Sequence, residues 1–203
     1  MSDTSFFDHK LLFPVTLPVQ WQSPTYYEIS KDILDWLLDP NSLTARLKQN
    51  CQTFHVEVLG QHIEPCTLDE ANCNVSVGED VLIREVLLYC DNIPQVFARS
   101  LLPLASLTGA EQQLAHLGDQ PLGQVIFSNP SLERKNIEIA RFDHKSPVAQ
   151  LAHSLGLNFD VESNPAQVMW GRRSTFLLHN KPFIVAEVFL PNAIAYTNKI
   201  NSL

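Results

Sequence analysis

A chain of 203 residues, 45% hydrophobic and 18% charged, has an ordinary globular composition and enough length for a substantial core. Its net charge of −8 at pH 7 argues against a nucleic-acid partner, whose binders present a basic face. No run of about 18 apolar residues occurs, so no membrane anchor is expected, and the opening MSDTSFFDHK lacks the basic and apolar regions of a signal peptide.

Residues 1–27, rich in proline, aromatic and aliphatic residues without a clean period, read as an extended arm lying across the body. Two short helices follow. SKDILDWLLD opens at Ser30 and gathers Ile33, Leu34, Leu37 and Leu38 on one side; NSLTARLKQN opens at Asn41 or Ser42, with Leu43 and Leu47 four apart. TFHVEVL alternates as a strand burying Phe54, Val56 and Val58, and the polar, acidic residues 60–79 read as a loop or flap. DVLIREVLLYC, the turn DNIP and QVFARSLLP form a hairpin. LTGAEQQLAHLG reads as a helix capped by Thr108 and stopped by Gly118, and PLGQVIF as a further helical piece. KNIEIARF is a strand, SPVAQLAHSLG a helix behind Ser146 on the surface, and STFLLHNKPFIVAEVFL a second hairpin turning at 179–182. Hairpins rather than crossover helices join the strands. The expected class is therefore α+β, a single antiparallel sheet with helices packed to one side. Seven glycines, none in a phosphate-binding pattern, disfavour a nucleotide site.

The four cysteines, Cys51, Cys66, Cys73 and Cys90, fit no zinc pattern. Without a secretion signal they are expected as reduced thiols in a cytoplasmic protein. The seven histidines form no ligand pair, so neither a metal nor a cofactor is expected.

What stands out is charge inside apolar strands. In PFIVAEVFLP, Glu187 shares a strand face with Phe183, Val185 and Phe189. An unpaired carboxylate out of water costs several kcal/mol or more, so Glu187 needs a partner, a proton or a ligand. In VLIREVLLY, Arg84 shares a face with Leu82, Val86 and Leu88, while Glu85 points the other way; Arg99 lies between Phe97 and Leu101. Two readings stand side by side. Arg84 with Glu187, and Arg99 with Glu85, are structural ion pairs; or Arg84 and Glu187 face each other across a closed cavity for a small hydroxylated anion. Arg172 and Arg173 open a strand, so a solvated edge is expected for at least one of them. No GxSxG and no Cys–His arrangement accompanies these residues, which disfavours a covalent acyl intermediate.

The segments IREVLL, ARSLLP, LGDQPLG followed by IF, IEIAR, WGRRS and KPFIVAEVFLP occur in the order seen in chorismate pyruvate-lyases, and the chain resembles that family over roughly residues 30–191. The resemblance implies one domain, 1–203, with flap-like segments over a buried ligand cavity. It places the family's arginine on Arg84, its glutamate on Glu187, the leucine of its PLG motif on Leu122, and a methionine of familiar members on Leu43. Residues 142–169 are longer than the family pattern and read as an insertion. The implied reaction is the cofactor-independent conversion of chorismate to 4-hydroxybenzoate and pyruvate for ubiquinone synthesis, by a monomer. Arg84 and Glu187 would be the catalytic pair, Arg84 would hold the ring carboxylate, and Glu187 would orient the ring hydroxyl or act as base. Arg172 or Arg173 is the candidate cation for the enolpyruvyl carboxylate. The alternative is a sensor domain of the same fold that binds a small molecule without chemistry.

Overall fold

The computed structural model describes residues 8–157 and 168–197. Six strands form one sheet: β1 (Phe54–Pro65), β2 (Asp80–Cys90), β3 (Ile93–Pro103), β4 (Leu132–Phe142), β5 (Met169–Leu178) and β6 (Lys181–Phe189). Their order is β1-β2-β3-β6-β5-β4, with every neighbour antiparallel. Both central hairpins turn through two residues with positive φ, Asp91–Asn92 and His179–Asn180, at 50° and 63° in each. A turn with both residues in the left-handed region matches the right-handed twist of the flanking strands, and Asp, Asn and His tolerate that conformation better than most other side chains. In β2, β3 and β6 most residues on both faces are buried, so layers cover the sheet on each side.

On one face lie α1 (Lys31–Leu37), α2 (Leu43–Lys48) and α3 (Leu122–Phe127). Ile33, Trp36, Leu37, Leu43 and Leu47 pack on Val86, Leu88, Ala98 and Phe189, and Leu122 and Ile126 pack on Leu82, Phe176 and Val185. The Ser42 hydroxyl caps α2 by accepting from the Ala45 amide. These three helices thus lie to one side, as their apolar spacing requires; the fourth does not.

The opposite face is closed by the arm, through Val15 and Leu17, and by α4 (Pro147–Ser154), which buries Val148, Ala149, Leu151 and Ala152. The segment after β1 covers more of that face, packing Cys66 and Val75 on Val81, Ile83, Leu101 and Ile184. Although expected on the surface, α4 is a core element. Burying a residue such as Leu151 contributes about 1.5–3 kcal/mol. Of the 142–169 stretch, residues 158–167 lie outside the described residues. The arm also bridges Gln22 to Ile139 through two backbone hydrogen bonds, covering part of the β4 edge.

Three local expectations change. β1 continues to Pro65 across a register shift between Val58 and Gly60, because Gln61 to Pro65 still find partners in β2 despite their polarity. Residues Gly109–His116 form 3-10 turns rather than an α-helix, and Thr108 makes no side-chain cap. The Ser30 and Ser146 side chains likewise cap nothing, although the helices start behind them.

Candidate functional site

The face under α1–α3 encloses a cavity of about 40 Å³. Its floor comes from β2 (Arg84, Val86, Leu88), β3 (Ala98, Ser100), β6 (Val185, Glu187) and β5 (Phe176); its cover comes from Leu43 and Thr44 of α2 and Leu122, Gly123, Ile126 and Phe127 of α3. All four residues singled out in the sequence, Arg84, Glu187, Leu122 and Leu43, line it. Small residues make the room. A methyl group on Gly123 would stand 3.1 Å from the Thr44 hydroxyl and 3.4 Å from the Ser42 hydroxyl, so glycine there lets α3 approach α2 closely.

Arg84 is 1% exposed. Its Nη2 donates to the carbonyl oxygens of Gly118 at 2.9 Å and Gln120 at 3.1 Å, which sets the guanidinium in place. Gly118 has φ +57°, and this left-handed turn, costly for any other residue, leads the chain through those two carbonyls into α3. Among the described residues no carboxylate pairs with Arg84, and its buried Nε has no hydrogen-bond partner. Burial holds its pKa below the ordinary arginine value. A cation in that position gains most from an anion offering two oxygens to its planar fork.

Glu187 does not pair with Arg84. Directly across the β5–β6 ladder stands Arg172, whose Nε donates to Glu187 Oε2 at 2.6 Å. The Nη1 of Arg172 collects the carbonyls of Trp36 at 3.2 Å, Leu37 at 3.4 Å and Asp39 at 2.9 Å. These sit at the end of α1, where helical carbonyls lack amide partners and a cation is favoured. Arg172 therefore fastens Glu187 to the helix layer. Oε1 of Glu187 accepts from no donor among the described residues.

Arg172 and Arg173 are 1% and 6% exposed, so neither is a solvated edge. They point to opposite faces. Arg173 donates to Glu138 Oε2 at 2.9 Å through Nε and to the Asp69 and Glu70 carbonyls, away from the cavity, and so is removed as a candidate for the enolpyruvyl carboxylate. Arg172 is committed to Glu187. On that rear face, Arg99 meets Glu85, as one reading had it, and also Glu70 and Glu64. Burial opposes the charge of Arg99, yet Glu70 and Glu85 hold its pKa above the usual value; burial likewise raises that of Glu85. Both oxygens of Glu85 accept the Val15 amide, at 3.0 and 2.9 Å, so this cluster ties the arm to the sheet. Among the described residues no group of three or more His, Cys, Asp or Glu could hold a metal ion, and no helix is long and apolar enough to cross a membrane.

One charged lining residue was not anticipated. Arg134, on β4, reaches the cavity over the rings of Phe127 and Phe176, 5.5 and 4.9 Å from their centroids. It lies just before the strand KNIEIARF expected from the sequence. Strict alternation back from Ile139 turns position 134 to the rear face; the register shift between Arg134 and Asn136 brings it opposite Phe176 on the cavity side, so no sequence period announced it.

Comparison with known proteins bears on this arrangement in two steps. Among solved structures, the fold matches the ligand-binding domain of a protein assigned to the GntR family of transcriptional regulators from Bordetella bronchiseptica. The TM-score is 0.52 at 17% identity, covering 73% of this chain and 91% of that one. It also matches PhnF from Mycobacterium smegmatis, with a TM-score of 0.55 at 15% identity over 75% and 65%. These define a class of α+β folds built on an antiparallel sheet. The sequence is more specific. The family model "Chorismate lyase" matches residues 16–200. Proteins named "Probable chorismate pyruvate-lyase" are 41% identical in Pseudoalteromonas translucida, over 92% of this chain and 99% of that protein. In Psychromonas ingrahamii the identity is 42%, over 82% and 87%. The chain belongs to the chorismate lyase family.

Proposed function

We propose that the protein is a chorismate pyruvate-lyase that acts in the cytoplasm and supplies 4-hydroxybenzoate to ubiquinone synthesis. The observation that carries this reading is Arg84, a buried guanidinium without a carboxylate partner among the described residues, facing the same cavity as Glu187 in a chain of this family. A flat ring carboxylate suits that fork. Glu187, fixed by Arg172 through one oxygen, keeps the other for the ring hydroxyl or for the proton on the carbon that bears it.

In the reaction that carbon loses its proton, the neighbouring carbon–oxygen bond breaks, and enolpyruvate leaves with the bonding pair to become pyruvate after protonation. The ring becomes aromatic. No electron acceptor is required, so the residues' task is to orient the ring and to stabilise charge as it develops. Leu43 and Leu122 supply apolar contact to the ring, and α2 and α3, as flaps, shut out water. One domain and a monomeric protein suffice for this chemistry.

The test is purified protein with chorismate in chelator-containing buffer, following both products. Equimolar 4-hydroxybenzoate and pyruvate are expected. Tight binding of chorismate with neither product would overturn the lyase reading in favour of a sensor.

A further inference from the structure

We propose that Arg134 binds the second carboxylate of the substrate, the one on the enolpyruvyl side chain, and so separates substrate from product. This rests on the lyase reading. Chorismate carries two carboxylates, and 4-hydroxybenzoate keeps only the ring carboxylate. Arg84 accounts for one. Of the cations considered from sequence for the other, Arg172 is held by Glu187 and three carbonyls, and Arg173 lies on the rear face against Glu138.

Arg134 has the position and the spare donors. It lines the cavity, no carboxylate pairs with it among the described residues, and its Nε is buried without a hydrogen-bond partner. Its Nη1 donates to the Asp39 carbonyl at 3.0 Å and its Nη2 to that of Asn41 at 3.5 Å, so the group is positioned by backbone and left unneutralised. Burial, then the nearby Arg172 charge, bring its pKa down to about 10, which keeps it cationic at neutral pH and raises the gain from an arriving anion. Glu187 and Asp39 oppose that shift, and Arg172, Glu187 and Asp39 are the charged groups that bear on it.

The order across the sheet also fits. Arg84 stands on β2, Glu187 two strands away on β6, and Arg134 two strands further on β4, a span of about 19 Å between the outer backbones at ~4.8 Å per strand. Two inward-reaching arginines shorten that span from both ends. In chorismate the side chain leaves the ring carbon next to the hydroxyl-bearing one, so its carboxylate belongs to the end of the ring that Glu187 serves, and Arg134 stands on the side of Glu187 away from Arg84. The rings of Phe127 and Phe176 lie within cation–π reach of the guanidinium and help to hold it at the cavity.

The experiment compares two ligands on one variant. Arg134→Gln keeps a donor for the loop carbonyls and removes the charge. With Glu187→Gln added to parent and variant alike, so that turnover is too slow to consume the ligand during a titration, equilibrium binding of chorismate is expected to weaken about 10- to 100-fold, the range of a charged hydrogen bond, while affinity for 4-hydroxybenzoate stays within about twofold. Arg134→Lys, which keeps a point charge but not the fork, should recover part of the chorismate affinity, and it carries the comparison if the glutamine variant does not fold. Parallel loss for both ligands would overturn the proposal and make Arg134 a wall of the cavity; unchanged chorismate binding would also overturn it. Because binding rather than turnover is read, wild-type protein that binds chorismate without converting it would remove the lyase reading alone. Wild-type protein that binds neither ligand would remove both.

Discussion

The residue scale carries the chemistry through two arginines with unlike duties. Arg172 commits Nε to Glu187 and Nη1 to the end of α1, whereas Arg84 spends only Nη2 on backbone carbonyls. Substituting each should therefore read differently. Arg84→Ala is expected to weaken 4-hydroxybenzoate binding by about 1.5–3 kcal/mol; a titration showing unchanged affinity would remove its ligand role. Glu187→Gln can still accept from Arg172, so the melting temperature should move little. Turnover should fall about 10²- to 10⁴-fold, as loss of an acid–base or orienting group does. A variant of full activity with a lowered melting point would make Glu187 a structural partner of Arg172 only. The two charged residues were legible in sequence because each interrupts an apolar strand. The pairing was not, because it depends on register: counting back equally from a two-residue turn at His179–Asn180 brings 172 opposite 187, while a turn spread over 179–182 does not. Arg134 was hidden differently, since the polar residues beside it mask a face that only the ladder with β5 reveals.

At the scale of elements, two clamps hold covering segments to the sheet. In front, Glu111 of the 3-10 segment accepts from Lys181 and meets His179 at the β5–β6 turn. Lys181 first, then His179, bring its carboxyl down to about 2 from an ordinary value near 4.5. A carboxyl whose pKa is lower in the folded than in the unfolded chain stabilises the fold above the unfolded value and loses that contribution as pH falls through the folded one. The stabilisation is therefore present above about pH 4.5 and lost towards about pH 2. Denaturant titrations of Glu111→Gln should show a shallower fall in stability across that window than the parent; identical slopes would refute the clamp. Behind the sheet, Arg99 gathers Glu64, Glu70 and Glu85. Arg99→Ala leaves three carboxylates facing one another in a largely buried site and should cost about 3–5 kcal/mol, read as a lower denaturant midpoint. A shift below about 1 kcal/mol would show that the cluster repacks. These clamps were only half visible in the sequence. The alternation gave the strands and the faces of Arg99 and Glu85, but Glu64 and Glu70 belong to a stretch too polar to be placed by pattern, and β1 runs through part of it.

For the whole molecule, stability and occupancy are linked because the cavity lies between the sheet and its helix layer. A ligand that binds only the folded chain at a hundred times its dissociation constant adds about 2.7 kcal/mol, so saturating 4-hydroxybenzoate should raise the melting temperature by several degrees. A thermal scan unchanged by product would contradict a cavity built for it. The same architecture explains why the class of fold was readable while its layering was not. Hairpins announce an antiparallel sheet, but a strand that is apolar on both sides, such as β3, does not say what covers each side. The arm has no clean period and α4 is short, so neither announced that it closes the rear.

The dipeptides Arg84–Glu85 and Arg172–Arg173 set ionic groups on the two sides of a wall one residue thick. A slip of one position along either strand turns every side chain over. Arg84 would then point toward the arm and Glu85 into the cavity, wrong on both fronts at once. The family's length variation should accordingly collect in the connections between strands, and a single-residue deletion inside β2 or β5 should abolish folding even where it removes only a leucine.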